Sequence, residues 1–227
     1  MEQAHDASPP ASGPALAPSP AAAPHGAAAG VVLPFAEPTS LGLFGLAIGC
    51  AALLPIAFGM KGALTVDGLH TAAWFCLLFG GGCQFLAGLM SFANKNMLGG
   101  TLLTTFSFNW VMNWWALEGL ANGKPPNGSI ILAVDSTFLL VFVVMTFAFA
   151  FYSRLLAVFL LDIVVLYALR IARELTHTQA LGMPIALATV VLMGLALYIA
   201  LSLVLANAAG RVILPVGGPL LKAGPKG

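Results

Sequence analysis

Six long apolar runs dominate the chain and decide what surrounds it. They cover roughly residues 41–60, 69–91, 98–118, 130–151, 155–172 and 185–207. Each is close to the ~20 residues that cross the hydrocarbon core of a bilayer as an α-helix. Of the 227 residues, 59% are hydrophobic and 7% charged, against roughly a quarter charged in soluble domains. A soluble fold of this size has no means of keeping so much apolar surface from water, so the lipid bilayer is the natural solvent. There the backbone must satisfy its own hydrogen bonds, which leaves helices or closed barrels. Barrel strands read as ~10-residue alternating segments, and these runs do not alternate. The fold class is therefore all-α: a polytopic membrane protein built as a six-transmembrane-helix bundle.

The breaks between runs carry charge and turn formers. MKGALTVDG, FANKNMLGG, EGLANGKPPNGS and RIARELTHTQALGMP are ample connections, whereas FYSR is so short that spans four and five form a tight antiparallel hairpin. Residues 1–35 are a different polymer, rich in Ala, Pro, Gly and Ser, and read as a disordered tail. That tail lacks a basic start and an unbroken apolar stretch, so it is not a signal peptide and the first span directs insertion. The membrane domain covers 36–218, and 219–227 form a short C-terminal tail. Six spans put both termini on one side. That side carries Lys95, Arg154, Arg211, Lys222 and Lys226; the other carries Lys61, Lys124, Arg170 and Arg173. Five against four leans toward cytoplasmic termini, in a cytoplasmic (inner) membrane.

Several function classes have nothing to recommend them. The net charge of +1 gives no field for nucleic acid. Cys50, Cys76 and Cys83 lie inside apolar runs without ligand spacing, so neither a metal nor a cofactor is implied and the thiols serve as small apolar residues. No phosphate loop, zinc-protease motif or nucleophile elbow occurs, so the chain is not read as an enzyme.

The polar residues inside the runs carry the functional information. In span two, Gly81, Gln84 and Gly88 stand at i, i+3 and i+7 on one helix face, and Gly42, Gly45 and Gly49 repeat that spacing in span one. Small residues let membrane helices approach closely, so these stripes read as packing faces. Gly80 and Gly82 lie off the stripe and are expected to face a second neighbour. Gln84 is either helix glue or a hydrogen-bonding group on a pathway. Span three aligns Thr105, Asn109 and Asn113 on one face. A threonine can bond its own helix, but two asparagines need partners or water. Asp162 sits mid-span in LLAVFLLDIVVLYAL, where an aspartate costs about 2.5–3.5 kcal/mol on insertion scales. It is a functional candidate, with an interhelical bond as the plain alternative. Asp135, near the start of span four, is less telling because it can reach the interface. No Lys or Arg lies deep in a span, which favours a small, weakly charged solute passing between apolar gates.

These segments, over about residues 36–218, resemble the acetate uptake transporter family, the bacterial succinate–acetate permeases and their fungal relatives. The family opens its first span with Asn-Pro-Ala-Pro-Leu-Gly-Leu; here Glu37, Pro38, Thr39, Ser40, Leu41, Gly42 and Leu43 keep the first proline and the Leu-Gly-Leu. Its Gly-Gly-x-x-Gln-x-x-Ala-Gly-Leu stands as Gly80, Gly81, Gln84, Ala87, Gly88 and Leu89. Asn96, Gly99 and Thr101 follow at the family spacing, and GRVILPVG closes the domain. The resemblance implies a pore within each protomer of a homohexamer. It implies passage of acetate, proton-coupled or channel-like, with succinate as a second solute. It places the narrow point on Leu46, Phe106 and Ile163, where relatives have an aromatic, a tyrosine and a leucine. It matches Ala196 to a small residue linked to substrate size. Asp162, usually uncharged in relatives, adjoins the narrow point as a candidate for proton coupling.

Residues and resemblance together point to a transporter or channel for acetate and similar monocarboxylates. Leu46, Phe106 and Ile163 would exclude water, and Gln84, Asn109 and Asn113 would offer hydrogen bonds. The partners implied are a small carboxylate solute, further copies of the chain and the lipid bilayer. Two other readings remain open: a pore for small neutral solutes, and a structural or signalling membrane protein without flux.

Overall fold

The computed structural model describes residues 34–222, so the expectation of a disordered N-terminal tail lies almost wholly outside the described residues, as do residues 223–227. Six helices succeed one another. They are α1 (Thr39–Ala57), α2 (Val66–Ala93), α3 (Met97–Ala121), α4 (Gly128–Phe149), α5 (Arg154–Thr176) and α6 (Gly182–Ala209). Two 3-10 turns, Lys61–Leu64 and Gln179–Leu181, precede α2 and α6. No strand occurs among the described residues. Five helices are long and apolar enough to cross a membrane: α1, α2, α4, α5, and α6 with its leading turn. The sixth, α3, has 25 residues, and its run of Thr, Ser and Asn lowers its hydropathy.

Most of the helices outrun their apolar stretches because polar residues cap them. Thr65 accepts the Gly68 N–H at 3.1 Å, Asn96 the Gly99 N–H at 2.9 Å and Asn127 the Ile130 N–H at 3.2 Å. Each satisfies one of the orphan donors of a first turn. At the start of α1, Glu37 accepts from the Thr39 N–H at 3.1 Å and from the Thr39 hydroxyl. Pro38 supplies the carbonyl that receives the Leu41 N–H at 3.0 Å.

Helix α1 packs between α6 and α2; α2 packs on α3; α4 pairs with α5, and α5 with α6. The α4–α5 connection is the tight antiparallel hairpin that FYSR predicts. Large side chains, not close backbones, join α3 to α4 and α5. The Phe106 ring meets Phe142 edge-on at 5.1 Å, and the Tyr167 hydroxyl donates to Asn109 Oδ1 at 2.9 Å. Outward faces carry exposed Leu86, Phe108, Leu140 and Phe147, the apolar surface that lipid solvates.

The middle of α2, Cys76–Cys83, is π-helical. Each hydrogen bond there spans five residues in place of four, which rotates the remainder of the helix about its axis. The expectation that Gly80 faces a second neighbour fails because Gly80, Gln84 and Gly88 stand at i, i+4 and i+8 and share the face toward α3. A Cβ at Gly80 would enter the Trp110 ring of α3, and one at Gly88 would strike Thr104, also of α3, while Gly81 has only ordinary contact with Val111, at 3.5 Å. At Gly82 a Cβ would meet only the Leu77 carbonyl of its own helix, 3.7 Å away. Trp110 also lies against α1, where a Cβ at Gly49 would stand 2.8 Å from ring atom Cζ3. The glycines of two helices thus make the room that one indole fills.

Beyond α6 the chain doubles back as a strap. Ser202 Oγ donates to the Leu214 carbonyl at 2.6 Å, Tyr198 to Pro215 at 3.1 Å and Ser153 to Val216 at 2.6 Å. The Arg154 N–H reaches the Gly218 carbonyl at 2.9 Å, and the Leu220 and Leu221 N–H groups reach the Ala150 carbonyl at 2.8 and 3.0 Å. GRVILPVG is therefore a clasp between α6 and the α4–α5 turn, and it continues into residues 219–222.

Candidate functional site

Four helices each bring an apolar side chain to the middle of the bundle. Leu46 of α1, Phe106 of α3, Ile163 of α5 and Ala196 of α6 all belong to one buried cluster, with Phe142 and Leu192 beside them. Phe106 is fixed by Phe142 on one side and by Trp110, 6.2 Å away, on the other. The result is a close-packed apolar plug.

Several buried polar atoms among the described residues have no protein partners. They are Gln84 Oε1, Thr104 Oγ1, Trp110 Nε1, Trp114 Nε1 and Asp162 Oδ2. Interiors normally pair such atoms, because each unpaired one costs about 1–3 kcal/mol. Gln84 is 1% exposed, yet its carbonyl oxygen joins no neighbouring helix. That observation weighs against helix glue, which requires a bond. Asp162, half-buried beside Ile163, likewise leaves one carboxylate oxygen unpaired.

The structure supplies the partner that Asn109 needs: Tyr167, through the 2.9 Å bond described above. The other members of that stripe, Thr105 and Asn113, are half-buried. Motif residues at the start of α1 serve the fold. Gly42 and Leu43 are buried, Gly42 with Leu103 Cδ2 only 2.8 Å from where a Cβ would stand, and Leu41 faces outward.

One group was not visible in the residue pattern. Asp135 is buried and takes a bidentate pair of bonds from Arg170, Nε at 3.1 Å and Nη2 at 3.2 Å. The Arg170 guanidinium lies over the Tyr167 ring at 5.3 Å, and that ring stacks on Phe138 and Phe142, each at 5.5 Å. Helix α5 continues to Thr176, and carries Arg170, 24% exposed, against Asp135, which compensates its charge. The signal that could have found it is spacing. Ile163, Tyr167 and Arg170 stand at i, i+4 and i+7, opposite Asp135, Phe138 and Phe142 on α4. Among the described residues no cluster of three or more His, Cys, Asp or Glu side chains could hold a metal ion.

No protein-family profile matches the chain. Over 89 residues it is 33% identical to a glyoxylate pathway regulator of Yarrowia lipolytica, a stretch that covers 39% of this chain and 32% of that one. The matched region is thus about a third of that relative's length. A solved structure of the bacterial acetate channel SatP superposes with a TM-score of 0.71 at 23% identity, over 81% of this chain and 99% of that one. At that identity the likeness is one of fold: the two chains share one helix bundle.

Proposed function

We propose that the chain forms a membrane pathway for acetate and similar small monocarboxylates. The observation that carries this reading is the plug: Leu46, Phe106, Ile163 and Ala196 all lie buried in one apolar cluster, in a bundle that also buries Gln84, Thr104 and Asp162 atoms that no protein group pairs. The likeness in fold to an acetate channel supports the choice of solute. An apolar constriction rejects hydrated ions and admits a solute small enough to trade water for a few hydrogen bonds. Gln84, Asn109 and Asn113 offer those bonds on either side of Leu46, Phe106 and Ile163. Ala196, without bulk, sets the room beside them.

In finer detail, succinate is a second solute, Asp162 links passage to protons, and the working form is a homohexamer in the inner membrane with cytoplasmic termini. Purified protein in proteoliposomes, given labelled acetate with and without a pH gradient, tests the whole. Uptake above empty vesicles is expected, competed by other short monocarboxylates and faster with an inward proton gradient. Uptake no greater than that of empty vesicles under both conditions overturns it.

A further inference from the structure

We propose that Arg170 receives the solute's carboxylate at one mouth of this pathway, and that Asp135 both orients the guanidinium and keeps its hold weak. The inference rests on the pathway reading above and adds a recognition site to it.

Geometry places Arg170 on the route. Ile163 of the plug, Tyr167 and Arg170 share one face of α5, so the face runs from the apolar centre toward the far end of the helix. Tyr167 ties that face to α3 by its bond to Asn109. Asn113 stands a further ~6 Å along α3, at four residues of helical rise. A solute leaving Arg170 therefore meets amide and phenol groups before the plug.

Chemistry supports capture. Asp135 occupies Nε and one N–H of Nη2. Nη1 has no bond among the described residues, so the edge formed by Nη1 and Nη2 remains free. Guanidinium is planar, and a second carboxylate fits that edge side by side with the first. A small cavity of about 40 Å³ opens at this place, with Asp135, Arg170, Arg173 and Glu174 on its walls. Two cations there face two acids. A solute with one carboxylate gains the free guanidinium edge.

Asp135 has a second consequence. A lone buried guanidinium would bind a carboxylate tightly and release it slowly, whereas conduction needs a site that lets go. The adjacent aspartate cancels much of the attraction, and the Tyr167 ring under Arg170 holds the group in place without adding charge.

The test measures acetate uptake into proteoliposomes against acetate concentration, and acetate binding to the detergent-solubilised protein by saturation-transfer NMR. Arg170→Gln should raise half-saturation about tenfold, a change of ~1.4 kcal/mol, and abolish the NMR signal; Arg170→Lys should recover part of both. Asp135→Asn should lower half-saturation and the maximal rate together. A purely structural pair predicts otherwise: both variants lose folded protein, and half-saturation stays within about twofold of wild type or rises in both. That result overturns the proposal. The double variant Arg170→Gln/Asp135→Asn leaves no unpaired buried charge, so it should fold yet still fail to bind acetate; normal binding by it also overturns the proposal. Wild-type protein that binds acetate through Arg170 but carries none would support this site and refute the flux reading instead.

Discussion

A buried amide oxygen without a partner costs free energy, about 1–3 kcal/mol, and Gln84 bears that cost at 1% exposure. A residue that only joined helices would have spent its oxygen on a bond. Gln84→Leu keeps the bulk and removes the unpaired acceptor. The protein should therefore unfold in detergent at the same temperature or a slightly higher one, while acetate uptake falls. A lower unfolding temperature with unchanged uptake would make Gln84 a packing residue. Asp162 is tested by its own isostere: in Asp162→Asn, uptake should lose its response to a proton gradient, and a retained response assigns the carboxylate to packing. Both residues were legible in the sequence because a polar atom in an apolar run stands out. Asn109 was legible for the same reason, but its partner was not. Tyr167 and Arg170 lie where a span gives way to charged residues, a place where aromatic and basic side chains ordinarily meet the headgroups. Only the pairing with Asp135, 35 residues away in sequence, reveals that Arg170 turns toward α4.

At the scale of the element, three adjacent glycines in α2 announced close packing but not its direction. Taking the stripe as Gly81, Gln84 and Gly88 left Gly80 off it, although Gly80, Gln84 and Gly88, at i, i+4 and i+8, share a face at 3.6 residues per turn as well. That face meets Trp110 and Thr104 of α3. The π-helical turn of Cys76–Cys83 shows in no residue count, because it arises from how the neighbours pack. The crowding makes a sharp contrast. Gly80→Val would drive two methyl groups into the Trp110 indole, and overpacking of this kind costs about 1–3 kcal/mol. Gly194 of α6 has nothing within 4 Å of a built Cβ, so Gly194→Ala should leave stability unchanged or raise it by roughly a few tenths of a kcal/mol through helix propensity. Thermal unfolding in one detergent compares the two directly. Equal stability of both variants would mean that the π segment yields where its contacts say it is tight.

At the scale of the whole molecule, the proposed function sets the bundle two demands that pull apart. A membrane protein gains its stability from close helix packing, yet a pathway needs a place where helices do not close. The arrangement separates these demands around the ring. Glycine faces bring α1, α2 and α3 together, the strap beyond Gly210 clasps α6 to the α4–α5 turn, and α3 meets α4 and α5 only through side chains. The gap filled by Leu46, Phe106, Phe142 and Ile163 is therefore the part that side-chain substitution can widen without separating backbones. Leu46 is 0% exposed, and Leu46→Ala removes much of the α1 contribution to the plug. Truncations of this type cost about 2–5 kcal/mol in soluble cores, so some loss of thermal stability is expected. If the plug is the constriction, the variant should also admit longer monocarboxylates: the ratio of butyrate to acetate uptake should rise, and Ala196→Leu, which adds bulk from α6, should lower it. A ratio unmoved by either change, in variants that still carry acetate, would place the constriction elsewhere in the bundle and leave Leu46 and Ala196 as packing residues alone.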